Sequence, residues 1–262
     1  MILSFASALV FPPALPVLIV LWALAMIALP IVSFAAPSRR ATAVTAAVIV
    51  QAALVVYVLL LSFPVPRALL IVFLVPLLGW GAEFTGSTTG IPFGSYHYTT
   101  LLRPRIAGVP LAVPLAWLMM MPPSWAIGTI LVPEGPAFVR GLLAAAAFTA
   151  WDLYLDPQMV GWGYWIWKKR GAYQGIPISN FVGWFLWALV ISLAVCCWGP
   201  GQTATIRDVL FLEPLVLIYL AHWVLQFGGH MFFWRMPVSA IAGFLGMGAL
   251  AVPALLRYFS FF

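Results

Sequence analysis

The chain has 262 residues, of which 65% are hydrophobic and only 7% charged, with a formal net charge of +6. No soluble fold has the interior to hide so much apolar side chain, whereas lipid accepts it on the outside, so the chain reads as an all-α polytopic transmembrane helix bundle. There is no charge-rich block for a separate soluble domain, so residues 1–262 read as a single integral membrane domain, and the basic residues scattered over loops set orientation rather than bind nucleic acid.

A span needs about 20 mostly apolar residues. That criterion predicts eight, at 14–35, 42–62, 67–84, 108–131, 137–156, 180–198, 209–228 and 237–257. Seven is the fallback, because Pro110, Pro114, Pro122 and Pro123 would kink or shorten the fourth. The N-terminus shows neither a basic leader nor a small-residue cleavage site and reads as mature chain entering the first span. Cys196 and Cys197 are adjacent; on a helix they point about 100° apart, which suits small core residues rather than a metal site.

Alternating the spans puts Arg39, Arg40, Arg103, Arg105, Lys168, Lys169, Arg170 and Arg235 on one side and Arg67, Arg140, Arg207 and Arg257 on the other. The positive-inside rule then places the N-terminus outside and the richer side in the cytoplasm of a cell-membrane protein.

Two polar, aromatic-rich stretches interrupt this pattern, and both fall on the basic side. The first runs from Glu83 to Thr99 and the second from Asp152 to Asn180; together they hold three of the six acidic residues. Carboxylates beside apolar spans are costly, which makes them functional candidates. Trp and Tyr favour the headgroup zone, so an interfacial or re-entrant segment is expected around 157–179, with a plain anchoring belt as the bland alternative. Asp152 and Asp156 share a helix face, and Pro157 places them at a helix end. Two carboxyls this close hold a proton between them more readily than two charges, which supplies a donor beside a carboxylate; an interfacial cap or an arginine partner is the alternative. Glu83 ends the third span, followed by Tyr96, His97 and Tyr98. His97 either shuttles a proton or donates to a backbone carbonyl, and the two tyrosines are equally suited to interface anchoring.

His222, Gln226 and His230 form a polar stripe on the seventh span and fit the lining of an internal cavity. Three histidines in the whole chain are too few for a membrane di-iron cluster, and no metal is expected. Nucleotide-binding, dithiol and serine-hydrolase motifs are absent.

The order and spacing of AEFTGSTTGIPFGSYHYT, GVPLAVPLAW, DLYLDPQMVGWGYW and GAYQGIPISNFVGW resemble the membrane carotenoid-biosynthesis family of carotenoid 1,2-hydratases, from about Glu83 to Trp184. The resemblance implies cofactor-independent addition of water across the terminal isopropylidene double bond of an acyclic carotenoid, giving a tertiary alcohol. It also implies a polyisoprenoid substrate met within the bilayer, with other enzymes of the same pathway as candidate partners. For such a reaction Asp152 or Asp156 serves as general acid, and Glu83 or His97 positions and deprotonates water. Tyr96, Tyr98, Trp151, Tyr154, Trp162, Tyr164, Trp165, Asn180, His222 and His230 become substrate-binding candidates, the aromatic faces among them suited to a carbocation. Two rival readings stand beside it. A membrane prenyltransferase would use the Asp pair to hold Mg²⁺ and a diphosphate but normally needs a second acidic cluster. A non-catalytic carotenoid or lipid carrier would not require the paired aspartates.

Overall fold

In a computed structural model the chain is described over residues 12–197 and 213–260. The predicted start of the seventh span, Arg207, Asp208 and the side chains of Cys196 and Cys197 lie outside those residues. Among the described residues eight helices are long and apolar enough to cross a membrane. They are α1 (Ala14–Ala35), α2 (Arg40–Ser62), α3 (Val65–Thr89), α4 (Ala112–Leu131), α5 (Ala137–Gly161), α6 (Ile178–Cys197), α7 (Glu213–Gly228, continued by a π-helical turn Gly229–Phe233) and α8 (Pro237–Phe259). Among the described residues four short strands lie in the connections: β1 (Tyr96–Tyr98), β2 (Arg105–Ile106), β3 (Val109–Pro110) and β4 (Trp165–Trp167).

Three α-helical boundaries among the described residues shift by four residues or more from the sequence reading, each for a local reason. Helix α3 runs past 84 to Thr89 because the hydroxyls that lower its hydropathy are satisfied inside the helix. Thr88 Oγ1 donates to the Phe84 carbonyl and Thr89 Oγ1 to the Thr85 carbonyl, both at 2.7 Å. Glu83 is therefore interior to the helix and not at its end. Helix α5 likewise continues through Pro157 to Gly161. A helical proline removes the donor for the carbonyl four residues back, here Leu153, and the Tyr173 hydroxyl supplies a replacement at 2.8 Å. The helix end expected beside Asp156 is thus absent. Helix α4 starts at Ala112 rather than 108 because β2 and β3 pair as a small hairpin before it.

Helix α4 is the centre of the bundle, with 83% of its apolar stretch buried against 17% for α1. It touches α2, α3, α5, α7 and α8, whereas α1 packs chiefly on α2. Between these extremes the outer helix faces carry Leu24, Phe73, Val190 and Leu245 at half exposure or more, as a lipid-facing surface requires. The adjacent prolines 122 and 123 do not break α4. The carbonyl that Pro123 leaves without a helical donor is that of Met119, and Gln51 Nε2 of α2 donates to it at 3.1 Å.

The helices alternate in direction, so the 90–111 and 162–177 connections lie at one end of the bundle, with 36–39 and 234–236. Contacts join these segments: the Arg40 guanidinium stands 5.0 Å over the Trp162 ring, and Trp162 meets Trp234 edge-on at 5.4 Å. The interfacial segment expected around 157–179 takes the form of a strand and turn from Trp162 onward. Antiparallel β4 pairs with β1 in the register Tyr96↔Trp167, His97↔Ile166, Tyr98↔Trp165.

Candidate functional site: an aromatic ribbon over buried carboxylates

Side chains alternate faces along a strand, so the β1–β4 ribbon presents Tyr96, Tyr98, Trp165 and Trp167 to the bundle and His97 and Ile166 away from it. The inward tips carry two phenol O–H and two indole N–H groups. The hydroxyls serve one carboxylate and the indoles another.

Glu83 of α3 accepts at Oε2 from Tyr96 (2.6 Å) and Tyr98 (2.5 Å), and at Oε1 from Trp117 Nε1 of α4 (3.2 Å). Two glycines make room for these aromatics on the same helix face. A Cβ on Gly79 would lie 2.7 Å from the Trp117 ring, and one on Gly86 would lie 2.5 Å from Phe93 and 3.1 Å from the Tyr96 hydroxyl. Burial, reinforced by the charge of Glu83, raises both phenols above their ordinary range, so they remain protonated donors.

Asp152 and Asp156, fully buried on α5, meet across one amide. Asn180 Nδ2 of α6 donates to Asp152 Oδ2 at 2.7 Å and to Asp156 Oδ2 at 2.8 Å. Asp156 Oδ1 also accepts from Trp165 Nε1 at 2.6 Å and Trp167 Nε1 at 3.4 Å. Asp152 Oδ1 finds no donor among the described residues. Buried unpaired carboxylate oxygens are expensive, and two anions sharing one amide are more so. The arrangement suits a pair with one proton between them, able to give it up and take it back.

Both stations open on one cavity of about 90 Å³. Asp156, Glu83 and Asn180 line it; Asp152 stands behind. One wall is an aromatic stack in which Trp117 and Trp184 lie 4.9 Å apart, Phe148 fits against both, and Trp151 meets Trp184 edge-on at 6.2 Å. The far wall is aliphatic, with Met26 and Leu29 of α1 and Val44 and Val48 of α2. The third polar station is Gln51, whose Oε1 accepts from Trp22 Nε1 at 2.8 Å and lies 2.6 Å from His222 Nε2.

The structure thus brings Glu83, Tyr96, Tyr98, Trp151, Asp152, Asp156, Trp165, Asn180 and His222 together and leaves five candidates outside. His97 faces outward on the ribbon and is exposed, because its strand position alternates with those of the two tyrosines. Tyr154 points to the opposite side of α5, where its ring abuts Gly243 and its hydroxyl donates to the Trp223 carbonyl at 3.2 Å. His230 lies between two backbone carbonyls, with Nδ1 2.9 Å from Gln226 O and Nε2 3.0 Å from Tyr154 O, and so ties α7 to α5. Trp162 meets Tyr164 edge-on at 5.9 Å by Arg40, at the rim of the bundle.

Gln51, Trp117, Trp167 and Trp184 are cavity residues that sequence reasoning passed over. Gln51 had a signal, as the one amide in an otherwise apolar span. Trp167 had another: W-x-W opposite Y-x-Y at a period of two marks a ribbon with four aromatics on one face. Trp117 and Trp184 had none, since nothing separates them from packing tryptophans until the helices are placed. Among the described residues no three His, Cys, Asp or Glu side chains converge as a metal site would require.

This is a multi-pass membrane protein with buried carboxylates at the wall of a largely apolar cavity. The chain belongs to the family described as "Carotenoid biosynthesis protein", whose profile matches residues 41–208. It is 32% identical over 189 residues to the bisanhydrobacterioruberin hydratase of Haloarcula japonica, a match covering 70% of this chain and 63% of that protein. The match spans somewhat less than two thirds of that relative's length. No solved structure matches the chain.

Proposed function

We propose that the protein hydrates the terminal isopropylidene double bond of an acyclic carotenoid, giving a tertiary alcohol. The observation that carries this reading is the pair of buried carboxyls bridged by the single Asn180 amide at the wall of an aromatic cavity. Protonating a trisubstituted alkene needs a strong acid held away from water. The Asp152–Asp156 pair donates as a unit, from the cavity side where Asp156 lies, and the conjugate base left behind faces the tertiary cation. Glu83, fixed by three donors, adds a second stationary negative charge. The faces of Trp117, Trp151 and Trp184 each contribute about 0.5–2 kcal/mol of cation–π attraction. The remainder of the chain lies along the aliphatic wall of α1 and α2, in continuity with the bilayer. The relative's hydratase name supports the same chemistry. By the positive-inside rule, the eight basic residues at the ribbon end, against Arg67, Arg140 and Arg257 at the other among the described residues, argue for that end facing the cytoplasm and the start of α1 facing outside. Other enzymes that handle the same insoluble carotenoid are the expected partners at that surface.

The test is expression in cells that accumulate an acyclic, lycopene-like carotenoid, grown in H₂¹⁸O, with extracts read by mass spectrometry. A product heavier by one labelled water is expected. An unchanged carotenoid, or an alcohol whose oxygen comes from O₂, overturns the proposal.

A further inference from the structure

Gln51 fixes a tautomer. Its Nε2 donates to the Met119 carbonyl, which turns Oε1 toward Trp22 and His222. An amide oxygen only accepts, so the proton of the neutral imidazole sits on Nε2, and Nδ1 keeps its lone pair. His222 is 2% exposed and lines the cavity, yet Nδ1 finds no hydrogen-bond partner among the described residues. Gln226, one turn along the same face of α7, also lines the cavity, and its Oε1 is likewise without a partner. Leaving a buried acceptor unmet costs about 1–3 kcal/mol, and here two belong to residues one helical turn apart that line the same cavity. They call for a small ligand with two donor hydrogens. Glu83 does not offer this, because three protein donors already occupy its oxygens. Trp151, whose indole meets the His222 ring edge-on at 6.1 Å, immediately precedes Asp152. The acceptor pair and the acid pair are therefore reached from neighbouring positions of α5.

We infer that His222 Nδ1 and Gln226 Oε1 hold the attacking water by its two hydrogens, and that His222 is the base that takes its proton; this rests on the hydration reading above. The water lone pair then points away from both acceptors and into the cavity. After the acid pair has protonated the alkene, that lone pair forms the C–O bond to the tertiary cation. The resulting oxonium loses a proton to Nδ1, its O–H electron pair staying on oxygen. The imidazolium returns a proton to the carboxylate pair, and the net change is alkene plus water to alcohol.

The inference separates capture of the cation from its formation, and deuterium reads the two apart. Membranes carrying the protein are supplied with an acyclic carotenoid in D₂O, and both alcohol and recovered alkene are analysed. Wild type is expected to give deuterated alcohol. In His222→Ala the alcohol falls about 100-fold or more, while the recovered alkene gains deuterium at the carbon that is protonated, because the uncaptured cation returns a proton to the carboxylates. Gln226→Leu leaves the Gln51 contacts intact and covers the case in which His222→Ala fails to accumulate; it loses alcohol about tenfold and still exchanges. Wild-type alcohol yields in both variants overturn the inference. So does loss of alcohol and exchange together, which would mark His222 and Gln226 as structural. Asp152→Asn should lose both signals. A wild-type protein that neither hydrates nor exchanges overturns the hydration reading itself, and this inference with it.

Discussion

Glu83 and the Asp152–Asp156 pair are buried acidic stations served by the same ribbon, and they are provisioned in opposite ways. Glu83 meets three donors with two oxygens and has no acidic neighbour on its own helix face. The aspartates divide one amide, and Asp152 keeps an oxygen without a donor. A saturated carboxylate is a fixed charge; an undersupplied pair is a place where a proton can come and go. Under the proposed hydration the contrast suits the first to electrostatic stabilisation and the second to proton transfer, although composition alone would rank all three acids equally.

The contrast can be broken most directly on activity. Asp156→Asn and Asp152→Asn should each lower alcohol formation by about 10²–10⁴-fold while the protein still accumulates in membranes; full activity in both removes the pair from the chemistry. Stability should move the other way round. Glu83→Gln sets a donor amide against three donors and should cost on the order of 3 kcal/mol, whereas Asp152→Asn, which relieves a crowded pair, should cost no more than about 1 kcal/mol. Thermal unfolding in detergent measures the difference, and equal losses would erase the distinction. Tyr98→Phe removes one of the three Glu83 donors and should cost about 1.5–3 kcal/mol by the same assay. Tyr173→Phe, which leaves the Leu153 carbonyl without its substitute donor, should cost about 1–2 kcal/mol. His97→Ala, on the outer face of the ribbon, should change stability by less than about 0.5 kcal/mol and leave hydration unaltered.

Much of this fold is legible in the chain because hydropathy is nearly its only long-range pattern: eight spans emerge, and their errors are confined to the ends. The two helix ends read too short share one physical source, while the late start of α4 comes from the β2–β3 hairpin. Thr88, Thr89 and Pro157 carry helix-ending signals that side-chain hydrogen bonds cancel, and Tyr173 acts on Leu153 from twenty residues away. Within the site, the carboxylates were legible because acids are rare in such a chain, and Asn180 because it sits in a motif. His97 was misread because a strand alternates faces, and no strand was expected there. Tyr154 was misread because being two residues from Asp152 and Asp156 on a helix means facing elsewhere. Trp117 and Trp184 become visible only when α4 and α6 are laid against α5.

The ribbon also bears on how the protein is assembled. Each helix can enter the bilayer alone, its backbone satisfied, but α3 and α5 would then carry acids whose aromatic donors are still apart on two separate connections. Glu83 draws Tyr96 and Tyr98 from the 90–111 segment and Asp156 draws Trp165 and Trp167 from the 162–177 segment, so the strand pairing of the two segments sets both groups of donors together. The closing of a three-residue strand pair is therefore a checkpoint for the bundle. A chain whose helices have inserted but whose ribbon has not formed keeps its acids unsatisfied, and stays open to rearrangement until it does.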